Sequence, residues 1–203
     1  MKLLSISTGT VAPLFGNHHP NYPSVASAIN KRSISNTQNP TSIKIHSLGV
    51  TGDEQADLSV HGGMEKAIYV YPIEHYAFWN KLLSQERKVA VDLPLGAFGE
   101  NFTFEGLLET MIYVGDQLVI GDLEFTVTKL REPCFKFNAK MGYKGAAKAM
   151  LQSGFSGWYL RVNRPGFVTA GASIQLIPGQ RVTSIADQSQ ALLQRRNQRD
   201  LWE

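Results

Sequence analysis

Between Met111 and Leu130 the chain reads MIYVGDQLVIGDLEFTVTKL. Two Gly-Asp pairs, Gly115-Asp116 and Gly121-Asp122, punctuate runs rich in β-formers, which makes the stretch a series of short strands. The second pair has the composition of a hairpin turn. Leu123, Phe125 and Val127 share one face of the strand that follows, which is expected to run on and end at Cys134. Similar runs recur as KLLSIS, SIKIHSL (Ile43 and Ile45 on one face), KAIYVY from Lys66 to Tyr71, NFTFEGL, GWYLRV, GFVTAG and SIQLI. Many short strands with glycine-rich turns predict a mainly β fold, a sandwich or a barrel.

Helical patterns are few. PIEHYAFWNKLLSQ places Pro72 at a first helical position, with His75, Phe78, Trp79 and Leu82 on one face. YKGAAKAMLQSG ends at Gly154, as helices that close on glycine do. SIAD at Ser184 resembles a capping box and opens a helix through Leu192, Leu193 and Leu201. Residues 13–40, PLFGNHHPNYPSVASAINKRSISNTQNP, are polar and rich in Asn, Pro and Ser, and are expected to form a long loop. The simplest organisation is one β-barrel domain over residues 1–182 with a short C-terminal helix over 183–203.

With 203 residues, 43% of them hydrophobic, the chain can bury a full core without covalent staples. The single cysteine excludes an intrachain disulfide and fits a reducing compartment. The start, MKLLSISTGTVAPLF, is too polar for a secretory segment, and no run approaches a membrane span, so a cytoplasmic protein without membrane contact is expected. The formal net charge is only +3, and Lys and Arg are scattered apart from QRRNQR near the end. No nucleic-acid partner is expected from this pattern, while a basic pocket for a small anion stays open.

That single thiol, Cys134, lies in LREPCFKFN, between Arg131 and Lys136 and directly after Pro133. Thiolate is the reactive and metal-binding form of cysteine, and nearby cations favour it. A free cysteine buried as a small hydrophobe is the competing account, and both stand at this point. In GDEQADLSVHGGMEKAIYVY, His61-Gly62-Gly63 precedes a strand that Lys66 opens. Paired glycines let backbone N–H groups approach an anion that a lysine can neutralise. In FGENF, Glu100 and Asn101 have the donors and acceptors to bind a heterocycle. For each of these two stretches taken alone, a tight turn is the commoner explanation. A structural zinc site, a nucleophile elbow, a dinucleotide fingerprint and a C-x-x-C pair are all absent from the sequence.

In order, GDEQAD, VHGG with Lys66, YP.EHY, FGENF, YVGD and REPC.K resemble the MOSC-domain proteins, named after the C-terminal domain of molybdenum cofactor sulfurase, and within them the YiiM-like group associated with resistance to 6-N-hydroxylaminopurine. The resemblance runs from Ser7 to about Ile177. It implies a closed or partly open β-barrel, of the pyruvate-kinase-barrel-like kind, with a few peripheral helices. It implies binding of the molybdenum cofactor (molybdopterin), with Cys134 as the protein ligand of molybdenum. By the same resemblance Thr8, His61, Gly62, Gly63, Lys66, Asn101 and Arg131 surround the pterin and its phosphate.

The implied activity is an oxidoreductase that reduces N-hydroxylated compounds, hydroxylaminopurines or amidoximes, to amines, with Cys134 and His61 as catalytic residues. His61 is then a source of one proton. Electrons have to come from a separate reductase. Members of the group often carry a three-helix C-terminal extension, against which residues 183–203 are short, and this leaves the partner and a homodimer open. Two other readings remain. One is a non-catalytic carrier of the cofactor, or of sulfur as a Cys134 persulfide. The other is a cysteine hydrolase built on Cys134, His61 and Asp53.

Overall fold

The computed structural model describes residues 1–14, 25–56 and 62–199. His61 and Leu201, both singled out above, lie outside these residues. Thirteen strands form among the described residues: β1 (Lys2–Thr8), β2 (Ala12–Pro13), β3 (Ala26–Ser27), β4 (Arg32–Asn36), β5 (Ile43–His46), β6 (Gly49–Val50), β7 (Ile68–Pro72), β8 (Phe102–Glu105), β9 (Gln117–Ile120), β10 (Leu123–Leu130), β11 (Trp158–Arg164), β12 (Gly166–Val168) and β13 (Ile174–Ile177). The helices are α1 (Tyr76–Arg87), α2 (Phe135–Met141), α3 (Ala146–Ser153) and α4 (Ile185–Arg199).

Eight strands make one sheet in the order β13-β9-β10-β11-β7-β8-β1-β4. Neighbours are antiparallel except β7 and β8, which pair in parallel. A parallel pair needs a crossover connection, and α1 provides it. The sheet curls until the segment entering β13 meets β1, the strand next to the β4 edge. Leu3 N–H donates to the Ala172 carbonyl (3.0 Å), Gly171 N–H to Leu3 (2.7 Å) and Ile174 N–H to Met1 (3.1 Å). These bonds seal the first half of β1 against the segment entering β13. The mainly β barrel with peripheral helices is therefore the observed architecture.

Side-chain alternation fills the barrel. Leu123, Phe125 and Val127 point inward from β10 and join Leu3, Ile6, Val70, Phe102, Phe104 and Trp158 in one core. β7 is different, because all five of its residues are buried. Ile68 and Val70 face the barrel, while Tyr69 and Tyr71 face a second core with Trp79, Phe98, Phe137 and Met150. Helices on the outer face explain why KAIYVY is apolar on both sides.

Three expectations need correction. Pro72 ends β7, and α1 starts only at Tyr76 after a 3-10 turn over Ile73–His75. His75 and Trp79 are buried as expected and Leu82 packs half-buried on the same core, Tyr76 and Leu83 join them, and Phe78 is exposed with its ring edge-on to Phe155. Residues 13–40 are not all loop, since β3 and β4 lie within them and β4 completes the sheet edge beside β1. Cys134 does not end a strand. β10 stops at Leu130, and Cys134 immediately precedes α2.

The capping expectation holds. Ser184 N–H donates to Asp187 Oδ2 (2.8 Å) and Asp187 N–H donates to Ser184 Oγ (3.0 Å). Gly154 closes α3 at φ 75°.

Gly157 has a harder requirement. Its φ is 66°, and a Cβ there would lie 2.2 Å from the Val70 carbonyl oxygen. Gly157→Ala is expected to cost about 3 kcal/mol or more, because backbone strain and a backbone clash add. Urea unfolding measures it, and a midpoint equal to that of the unchanged protein would refute the account. Among the described residues no helix is long and apolar enough to cross a membrane.

Candidate functional site

A cavity of about 110 Å³ opens on the outer face of β7 and β11, where α2 begins. Tyr69 and Tyr159 are register partners on those strands and both line it, their rings 5.5 Å apart. Burial pushes both phenols upward in pKa, and the neighbouring Arg131 pulls each partly back.

Arg131 follows β10 directly and is 6% exposed. Its guanidinium lies 4.8 Å from the Phe137 ring centre and 5.5 Å from that of Tyr69, and its Nη1 contacts Met150 Sδ at 3.3 Å. No carboxylate among the described residues forms an ion pair with it. Burying a cation costs several kcal/mol, and aromatic faces return only about 1–2 of them. The arrangement is thus suited to an anion entering the cavity. Cys134 lines the same cavity, half-buried, with extended backbone (φ −127°, ψ 178°) leading into α2.

At the other side stands an ion pair. Lys31 Nζ lies 2.5 Å from both carboxylate oxygens of Asp53, and the two side chains are 8% and 6% exposed. Burial lowers the Lys31 pKa, and Asp53 pulls it back up. Gly9 N–H donates to Asp53 Oδ1 and the Asn101 amide donates to Oδ2, both at 2.8 Å. The Asn101 side-chain oxygen in turn accepts from Tyr69 N–H (3.1 Å), while its main chain bonds Tyr69 and Ser7. Asn101 therefore fastens β7, β1 and Asp53 together.

Its neighbour Glu100 is fully buried and accepts from Gly96 N–H and Phe98 N–H (2.9 Å each), from Thr103 (3.2 Å) and from the Tyr76 hydroxyl. Burial raises the Glu100 pKa and these donors draw it back. The polar groups of FGENF are thus committed to folding that loop.

Of the residues expected around a ligand, Lys66, Asn101, Arg131 and Cys134 line one cavity. Thr8, Gly62 and Gly63 are not in its lining. Thr8 ends β1 opposite Arg32. Gly63, at φ 87°, donates its N–H to Gln55 Oε1 (3.0 Å), so that donor is engaged within the protein. His61 lies outside the described residues. Lys31, Tyr69 and Tyr159 were missed as site residues. The tyrosines carried one signal, alternation within their strands, but only the β7–β11 register brings them together. Lys31 carried none.

Fold and cavity together define a small β-barrel protein with one thiol and, in the same cleft, a buried guanidinium that no carboxylate among the described residues pairs with. The model of the MOSC domain matches residues 57–175, more than half of the chain, and the chain belongs to that family. It is 36% identical over 146 residues to protein YiiM of Escherichia coli (strain K12), covering 72% of this chain and 63% of that protein. It is 35% identical over 131 residues to a protein named reductase of Gibberella moniliformis, covering 64% of this chain and 22% of that one. The chain thus spans less than two thirds of either relative. The crystal structure of YiiM from Geobacillus stearothermophilus superposes with a TM-score of 0.70 at 28% identity, covering 97% of this chain and 85% of that one.

Proposed function

We propose that this protein binds the molybdenum cofactor in the cavity at Cys134 and reduces N-hydroxylated compounds such as hydroxylaminopurines or amidoximes. The observation that carries this is Arg131, a buried cation without a carboxylate partner among the described residues, in one cleft with Cys134. An anionic, sulfur-liganded metal group fits that donor set, because a soft thiolate suits it and the guanidinium answers its charge. Membership of the MOSC family and a relative named reductase support the same direction.

Cys134 Sγ would hold the metal, Arg131 and Lys66 the anionic part, and Tyr69 and Tyr159 would wall the cleft against water. The cofactor supplies, when bound, a two-electron redox centre able to take oxygen. The overall change balances as R–NHOH + 2e⁻ + 2H⁺ → R–NH₂ + H₂O, the electrons coming from a separate reductase. His61 is assigned one of the protons, since an ordinary imidazole titrates near neutral pH. An unpaired thiol suits a reducing, cytoplasmic setting. The sulfur-carrier alternative needs a mobile, accessible thiol, and Cys134 is half-buried beside a buried proline.

Protein made in cells that synthesise the cofactor is expected to retain about one molybdenum and one pterin per chain. With reduced viologen as electron source it should convert 6-N-hydroxylaminopurine to adenine. Protein from such cells carrying neither molybdenum nor pterin would overturn the proposal.

A further inference from the structure

The charges scattered along the sequence are unevenly divided. From Pro133 to Ala186 there is no aspartate or glutamate. Residues 133–203 hold ten Lys and Arg against three Asp and Glu, whereas residues 1–132 hold ten against fourteen. The division falls at Cys134.

The fold gathers much of the basic part beside the cleft. α2 packs on α3, and α3 on α4. Lys136 and Lys140 stand one turn apart on α2, half-buried, and Lys136 lines the cavity. Lys144, between the helices, and Lys148 on α3 are exposed, as are Arg195 and Arg196 on α4. Arg196 donates to the Pro133 carbonyl at 3.4 Å, which ties α4 to the residue before the thiol. Asp187 is the one acid among the described residues of these helices, and it is engaged as the Ser184 cap. At the rim, Glu132 is exposed and 3.7 Å from Lys129. Because the cations come from three helices and the turn between two of them, they suit a broad acidic surface better than a small anion.

We propose that this helical face docks an acidic electron-carrier protein, one whose surface is negative around its own redox group. The proposal rests on the functional reading above, which needs electrons from outside the chain, and it names where they enter. Opposite charge would steer such a carrier to the side of the barrel where Cys134 lies. Complementarity of this kind raises the encounter rate and orients the partner, and salt screens it.

The test uses a purified bacterial flavodoxin as probe and a DNA duplex as control. Binding is measured at about 20 and about 200 mM sodium chloride, where screening over ~10–20 Å differs. The variant Lys144→Glu/Lys148→Glu/Arg195→Glu alters only exposed side chains outside the cavity lining. Expected are flavodoxin binding at low salt and a loss of about tenfold or more both at high salt and in the variant. Melting temperature and molybdenum content should not move. Equal binding by the variant, or no binding at low salt, would overturn the proposal. A duplex held more tightly than flavodoxin would assign the face to nucleic acid and overturn it too. The binding assay runs equally on cofactor-free protein, so a missing cofactor would sink the functional reading alone, and charge-independent binding would sink this one alone.

Discussion

Cys134→Ala is expected to lose at least about a hundredfold of the molybdenum the protein retains, because one metal–sulfur bond is the only protein bond assigned to the metal. Reduction of 6-N-hydroxylaminopurine should fall with it to the level of a blank. Stability should change by less than about 1 kcal/mol, since the thiol is half-buried and lines a cleft. Elemental analysis, pterin fluorescence and a melting curve on the same preparation separate these effects. Pterin retained while molybdenum is lost would assign the anionic part of the cofactor to the Arg131 side and the metal to the thiol. Stoichiometric molybdenum in the variant would remove Cys134 from the metal altogether.

The second large effect is on stability. Asp53→Ala should cost about 3–5 kcal/mol, the usual consequence of stranding one member of a buried ion pair. Lys31 would keep its charge at 8% exposure, and Gly9 N–H and the Asn101 amide would each lose an acceptor. Adding Lys31→Met should recover a large part of the loss, as expected for side chains in contact.

The pH dependence follows from the direction of the Lys31 shift. Burial sets its folded pKa below the unfolded one, so between the two the unfolded chain binds more protons and stability rises with pH. Without Asp53 to pull it upward, the folded value drops further and that window widens. The deficit of Asp53→Ala should therefore shrink as pH climbs toward the ordinary lysine range. A guanidinium chloride titration series would show this, and a loss below about 1 kcal/mol at neutral pH would mean that the pair is peripheral.

The barrel was legible in the alternation of Leu123, Phe125 and Val127, because a strand with one face inward repeats every second residue whatever its neighbours are. The caps at Ser184 and Gly154 were legible for a related reason, since their partners lie within a few residues. What was hidden depends on pairs distant in sequence. Lys31 meets Asp53 only after β4 has joined β1. The two tyrosines of the cleft meet only through the β7–β11 register. Asn101 was found as a polar group in a telling place, but its commitment to Asp53, Ser7 and Tyr69 is a fact of three-dimensional packing. The short helix after Cys134 was missed because seven residues carry too little periodicity to read.

The seam between β1 and residues 171–174 bears on how the molecule comes to be folded. β1 has to wait for the segment entering β13, about 170 residues further along, before the cylinder can shut. Until then β1 is held only by β4 and β8, and β13 has β9 alone. Contacts so remote along the chain are slow to form, because the entropy of closing the loop precedes any reward. Closure of the cylinder should be the late, rate-limiting event of refolding. The newborn chain would meanwhile pass through an open, sticky sheet, the stage at which heat or crowding diverts it to aggregates.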